Sequence, residues 1–277
     1  MTDNEQPIGH PTLAAAHVSA GYRDHVVSRG LDLSIEQGSR TALVGPNGSG
    51  KSTMLKTLAR LIKPLSGSVC LDGRDIASLP SREVARRMAV LPQLHEVPPD
   101  LTVRALVSQG RFPHVGPLRM LRRQDDEAVQ WAIRLTRLEH LADRSVDTLS
   151  GGEHQRAWIA LALAQQTDLL LLDEPTTFLD VGHQLEVLEL ICHLNREHGV
   201  TVVMVLHDLN HAARFADRLI AVSGGTVIAD GSPVEVVTPG LLRECFGIEA
   251  SVLPDPRTGA PMCIPHATIT SANDERG

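Results

Sequence analysis

The sequence predicts an α/β fold, a mostly parallel β-sheet with helices packed on it and a helical segment inserted midway. Three observations carry this. Short β-like runs alternate with amphipathic stretches along most of the 277 residues. Two of those runs, 169–172 and 200–206, are continuously apolar, as suits strands covered on both faces. Between residues 94 and 147 the strand signals disappear and helical periodicity replaces them.

Taken in order, strands are expected over residues 13–19, 26–35, 41–44, 68–71, 88–91, 169–173, 200–206, 218–222 and 226–229. Helices are expected over 53–61, 102–110, 125–138 and 154–165. In the third of these, Val129, Ile133, Leu135 and Leu138 form an apolar stripe. Residues 94–155 therefore read as a helical insert within the α/β core. Gly224-Gly225 and Asp230-Gly231 mark turns near the C-terminal end. Residues 271–277, SANDERG, have nothing to bury and are expected to fray. No internal repeat and no low-complexity segment is found.

Composition narrows the function. A hydrophobic share of 42% supports a substantial core, but aromatics make up only 3%. That scarcity argues against membrane barrels with aromatic girdles and against stacking platforms for single-stranded nucleic acid. A net charge of −7 also argues against nucleic acid as a partner, because phosphate backbones need a basic face. The longest apolar run, 157–164, falls well short of the roughly 18–20 residues a membrane span needs. The start, MTDNEQPIGHP, is acidic and polar, unlike a signal or transit peptide. Cys70, Cys192, Cys245 and Cys263 form no CxxC pair and read as free, mostly buried thiols in a reducing compartment.

Gly45-Pro46-Asn47-Gly48-Ser49-Gly50-Lys51-Ser52 matches G-x-x-x-x-G-K-[ST], between an apolar strand and a helix that opens near Thr53. Glycines let the backbone curl so that successive N–H groups face one phosphate chain. The helix behind adds its positive dipole end. Lys51 is placed to neutralise the β- and γ-phosphates and the Ser52 hydroxyl to ligate Mg²⁺. A glycine-rich surface turn matching by accident has odds on the order of 1% in such a chain. Leu169 to Leu172 then run into Asp173 and Glu174. Ligands of open α/β sheets bind at the carboxyl ends of strands, which brings Asp173 beside the loop as a Mg²⁺ partner. Glu174 can polarise a water for attack on the γ-phosphate. A solvated strand end stopped by Pro175 is the plainer reading of the pair alone.

Leu149-Ser150-Gly151-Gly152-Glu153 resembles the LSGGQ signature of ATP-binding cassette (ABC) ATPases, with Glu153 in place of the usual Gln. The resemblance covers about residues 12–245, leaving 246–277 as a C-terminal extension. It implies a P-loop NTPase core with an N-terminal antiparallel β subdomain and an inserted helical subdomain. It also implies two copies paired head to tail, each ATP held between one copy's phosphate loop and the other's Ser150, Gly151 and Gly152. Gln93 looks like the glutamine that senses Mg²⁺ and attacking water, although a Gln after a strand is ordinarily a solvated loop residue. Asp180 matches the aspartate that communicates across the dimer; a helix N-cap is the alternative. His207 matches the switch histidine that reaches the γ-phosphate, against a His207/His211 metal pair with no third ligand apparent. Tyr22 stands where the family stacks an aromatic on adenine, against simple packing on the sheet.

Finer likeness points to the ATPases of ferric-siderophore, haem and cobalamin uptake. It rests on Glu174-Pro175-Thr176-Thr177-Phe178-Leu179-Asp180 and on Gln109-Gly110-Arg111-Phe112-Pro113-His114. Such importers imply a separate membrane permease, an indirect substrate-binding protein, and a peripheral position on the cytoplasmic face of the inner membrane. Arg104, Arg111, Arg119, Arg122 and Arg123 outnumber Asp125 and Asp126, making 101–126 a locally basic patch for permease or headgroups, or a solvated face. A soluble ABC ATPase acting on ribosomes or DNA is the second hypothesis. One phosphate loop and no sustained heptads count against it. A P-loop kinase leaves the 149–153 run without a role.

Overall fold

The computed structural model describes residues 12–22, 25–93, 100–115 and 122–269. In chain order come β1 (Leu13–Tyr22), β2 (His25–Ile35), β3 (Arg40–Val44), α1 (Lys51–Leu58), β4 (Ser66–Leu71), β5 (Arg74–Asp75), α2 (Ser81–Arg87) and β6 (Met88–Leu91). Next are α3 (Val103–Ser108), α4 (Phe112–Val115), α5 (Arg123–Leu135), α6 (Gly151–Ala164) and β7 (Leu169–Asp173). The chain continues through α7 (Val181–His198), β8 (Thr201–Val205), α8 (Leu209–Phe215), β9 (Arg218–Ser223) and β10 (Thr226–Gly231). It closes with α9 (Pro233–Val236), α10 (Pro239–Phe246), β11 (Ile248–Pro254) and β12 (Pro261–Thr268).

The central sheet has the order β10-β9-β3-β8-β7-β6. It is parallel except for β10, which runs antiparallel to β9. Every residue of β7 and of β8 is buried, the physical meaning of their unbroken apolar runs. Alternation of side chains then divides the core in two. Ala42, Val44, Leu170, Leu172, Val202 and Met204 meet the helices α6, α7 and α8 on one face. Leu43, Leu169, Leu171, Val203 and Val205 meet α1 on the other. There they are covered by Leu13, Val18, Leu31 and Ile35 of a second, antiparallel sheet of order β2-β1-β4-β5. The two sheets thus enclose α1, which begins at Lys51.

Between β6 and β7 the described residues form helices and turns. Val103, Leu106 and Val107 of α3, Val129 and Ile133 of α5, and Ala157 and Ala160 of α6 share one apolar interface. Thr102 opens α3 by accepting the Ala105 N–H at 3.2 Å. Helix α5 stops at Leu135 rather than 138, because the chain turns left-handed at Arg137, φ +58°.

The expected basic patch loses Arg111. Arg111 is buried, its Nε 2.9 Å from Asp125 Oδ1, and its Nη1 donates to the Ala164 carbonyl at 2.7 Å. Arg104 pairs with Asp143 and Arg123 with Glu127, while Arg119 lies outside the described residues. A desolvated carboxylate requires a fixed cation beside it, and Arg111 supplies it. Burial favours the neutral acid at Asp125, yet the Arg122 N–H and the Arg111 guanidinium together hold its pKa below the ordinary aspartate value.

Within the C-terminal extension expected from sequence, residues 248–268 form the β11–β12 hairpin. It is anchored on α8: Asn210 Oδ1 accepts the Cys263 N–H at 2.7 Å and Asn210 Nδ2 donates to the Cys263 carbonyl at 3.2 Å. The residues expected to fray, 271–277, lie outside the described ones. All four cysteines are free, three of them buried. Among the described residues no helix is long and apolar enough to cross a membrane.

Candidate functional site

The site grows from the carboxyl ends of β3, β7 and β8. After Val44 the chain curls through residues 45–50 into α1. Gly45 has φ +147°, and a Cβ there would lie 2.1 Å from the Val222 carbonyl oxygen, so only glycine fits. The turn is braced internally, with Ser49 N–H donating to Pro46 O at 3.3 Å and Gly225 N–H to Ser49 O at 3.1 Å. Lys51 folds back over the loop, its Nζ donating to the carbonyls of Gly45 and Pro46, both at 2.8 Å. Burial pushes the Lys51 ammonium below its usual pKa, while the carboxylates of Glu174 and Asp173 pull the other way.

Asp173 ends β7 with its side chain buried. Its Oδ1 accepts the Ser52 hydroxyl at 2.7 Å. Its Oδ2 has no hydrogen-bond partner among the described residues, and Lys56 Nζ stands 3.5 Å away. A buried carboxylate oxygen without a hydrogen bond, joined to a hydroxyl oxygen, is the hard-donor set that Mg²⁺ accepts.

Glu174 follows with φ +54°, a left-handed backbone that β-strands do not continue through. The twist turns its carboxylate into a small polar cage. Oε1 lies 2.6 Å from His207 Nε2 at the end of β8. Oε2 accepts from Gln93 Nε2 and, at 3.1 Å, from the Thr177 hydroxyl. Gln93, Glu174 and His207 come from three separate strand ends and meet at one carboxylate. His207 is thereby engaged with Glu174 rather than paired with His211 on a metal, and among the described residues no three ligating side chains cluster.

Lys51, Ser52, Glu174 and His207 line one cleft of about 320 Å³ together with His25 and Val27. The last two went unnoticed in the sequence. They begin β2, directly across the hairpin from Tyr22, whose Cα pairs with His25. Their proximity in sequence to Tyr22 was the signal available. Tyr22 itself is 51% exposed at the end of β1, with half of its surface open to a ligand. Asn47, Gly48, Gly50 and Thr53 also face the cleft.

Ser150, Gly151, Gly152 and Asp180 do not line that cleft. Ser150 caps α6: its Oγ accepts the Glu153 N–H at 3.4 Å, and Glu153 Oε2 accepts both the Ser150 N–H and O–H at 2.8 Å. Those bonds from Ser150 hold Glu153 ionised below the usual glutamate pKa. Glu153 therefore spends its carboxylate on its own helix. Asp180 caps α7 by accepting the His183 N–H at 2.9 Å. Beside it Phe178, φ +64°, is 87% exposed and Val181 69% exposed.

Comparison with known proteins agrees with this geometry. Residues 28–177 match the family model described as ABC transporter. The chain is 47% identical to the iron(3+)-hydroxamate import ATP-binding protein FhuC of Bacillus subtilis, over 95% of this chain and 98% of that one. It is 48% identical to the ferric enterobactin transport ATP-binding protein FepC of Escherichia coli, over 91% and 93%. Among solved structures, it superposes on the dimeric ATP-binding cassette MJ0796 bound to ADP and Pi, in its post-hydrolysis state. That match has a TM-score of 0.70 and 30% identity, over 79% of this chain and 98% of that one. With a phosphate loop, two acids at the end of a buried strand and a Ser-capped signature helix on one α/β core, this chain belongs to the ABC transporter family, as an ATP-binding cassette ATPase.

Proposed function

We propose that this chain hydrolyses ATP to power import of ferric siderophores through a separate membrane permease, from the cytoplasmic face of the inner membrane. The observation that carries the hydrolytic part is the Glu174 carboxylate, held at the mouth of the phosphate-loop cleft by His207, Gln93 and Thr177. The iron-siderophore part is supported by near-complete, almost half-identical matches to ATPases named for iron-hydroxamate and enterobactin uptake.

In this reading the N–H groups of residues 45–53 and the Lys51 ammonium bind the phosphates of ATP. Lys51 exchanges its two carbonyl partners for phosphate oxygens of full negative charge, a stronger pairing. Tyr22, beside His25 and Val27, stacks on the adenine. Ser52, Gln93 and Asp173 would hold Mg²⁺, which when bound would offset the negative charge of the phosphates. Glu174 accepts the proton of the attacking water, and His207 orients the carboxylate and meets the γ-phosphate. Gln93 joins this centre to the helices of 94–155, so that the state of the nucleotide moves that subdomain against the permease.

Ser150, Gly151 and Gly152 serve the nucleotide of a second copy in a head-to-tail pair, and Asp180 lies at the seam. Their absence from the chain's own cleft supports this, as do the exposed Phe178 and Val181 beside Asp180. The cassette spans 12–245, and 246–277 form an extension. A substrate-binding protein acts through the permease without touching this chain.

The test is reconstitution in liposomes with the permease and binding protein encoded beside the gene. ATP-dependent uptake of a ferric hydroxamate, and none of haem or cobalamin, is the expected result. Uptake of haem or cobalamin alone reassigns the cargo. A stable complex with ribosomes or DNA and no permease partner would sink the transport reading.

A further inference from the structure

The two glycines of the signature turn sit in different surroundings. Among the described residues a Cβ built on Gly151 meets nothing within 4 Å, whereas one on Gly152 would lie 2.3 Å from His183 Cδ2 and 2.7 Å from its Cγ. Gly152 is within helix α6, where alanine is the better helix former, and its backbone needs no left-handed conformation. The space it leaves is filled by an imidazole from α7. That ring is pinned on its other side, its Nδ1 2.9 Å from Asp180 Oδ1, the oxygen that also accepts the His183 N–H. One turn further on, Arg156 Nη1 of α6 lies 2.6 Å from Glu186 Oε2 of α7. The two helices are thus joined at two successive rungs, Gly152 on His183 and Arg156 on Glu186. At the first rung one imidazole touches both Gly152 and Asp180.

We propose that His183 is a positioning residue that locks the Asp180 loop to the Ser150–Gly152 turn, so that the two elements facing a partner cassette move as one body. The lock rests on the paired-cassette reading for its purpose, and on the α6–α7 contact alone for its existence. It gives position 152 a reason to be glycine in addition to the nucleotide of the second copy.

The test uses the full chain with Gly152→Ala, His183→Ala, the double variant and His183→Asn. Gly152→Ala should lower the melting temperature, and His183→Ala in the same chain should restore most of that loss, since the added methyl then has room. In a Glu174→Gln background, dimerisation is followed by sedimentation at rising Mg-ATP. Gly152→Ala should raise the ATP concentration for half-dimerisation about tenfold, the scale of a modest overpacking cost. His183→Ala should raise it several-fold while leaving monomer affinity for a fluorescent ATP analogue unchanged. His183→Asn, whose side-chain N–H can still reach Asp180, should recover it. Equal impairment of Gly152→Ala and the double variant, in both melting and dimerisation, overturns the lock. A Glu174→Gln chain that stays monomeric at saturating Mg-ATP overturns the paired-cassette reading and with it the purpose of the lock. The melting cycle then still decides whether the contact exists.

Discussion

His207 Nε2 lies 2.6 Å from Glu174 Oε1, so the carboxylate that follows β7 is held by an imidazole two residues past β8. Neighbouring parallel strands deliver their ends to the same edge of the sheet, and that edge is where the phosphate loop opens. The left-handed backbone at Glu174 completes the arrangement by turning its side chain out of the strand's alternation.

Replacing Glu174 with Gln keeps the shape of this cage but removes the proton acceptor. ATP turnover should fall by about 10²-fold or more, the usual contribution of a general base. Binding of Mg-ATP should persist, and an ATP-bound dimer should accumulate on sedimentation. Turnover at the wild-type rate would remove Glu174 from that role.

Lys51→Ala takes away the cation that now bridges Gly45 and Pro46. A hydrogen bond to a charged group contributes about 1.5–3 kcal/mol, so ATP affinity should drop by about tenfold or more. Calorimetric titration checks it. Unchanged affinity would place the phosphates elsewhere.

Much of this site was legible because its chemistry is local in sequence. The phosphate loop needs glycines, a lysine and a serine in one run, and Asp173 and Glu174 close a strand whose apolarity announces its burial. What was missed depends on partners distant in sequence. Arg111 read as a surface cation because a count of charges cannot see that Asp125 folds onto it. His25 and Val27 reach the cleft only through the hairpin that places β2 against Gly50. Strands β11 and β12 carry Pro254, Pro261 and Pro265, which ordinarily argue against a strand. They are tolerated in a two-stranded hairpin that has no further strand on either side among the described residues. Glu153 departs from the usual signature residue, and only the structure shows its carboxylate bound to Ser150.

The Arg111–Asp125 pair should behave as a structural clasp of the helical region. Arg111→Ala strands a buried carboxylate and should cost about 3–5 kcal/mol in urea denaturation. Because the folded pKa of Asp125 is depressed, its ionised form stabilises the fold above the ordinary aspartate value, about 3.9. That contribution is lost as pH falls through the depressed folded value. The stability gap between wild type and Asp125→Asn should therefore be largest near neutral pH and shrink in acid. A gap that does not change with pH would detach the pair from the ionisation of Asp125.

Tyr22 offers the sharpest separation between a base contact and a packing role. It is the only tyrosine in the chain, half exposed at the tip of β1 beside the phosphate-loop cleft. Stacking depends on the ring and not on the hydroxyl, so Tyr22→Phe should bind ATP nearly as well as wild type. Tyr22→Ala should lose about 1–3 kcal/mol of affinity, the range for one base on one aromatic. The loss should be specific to the base: inorganic triphosphate, which has none, should bind both variants alike. If Tyr22→Ala weakens triphosphate as much as ATP, the residue supports the loop instead of the adenine. If Ala and Phe both match wild type, the ring has no part in binding.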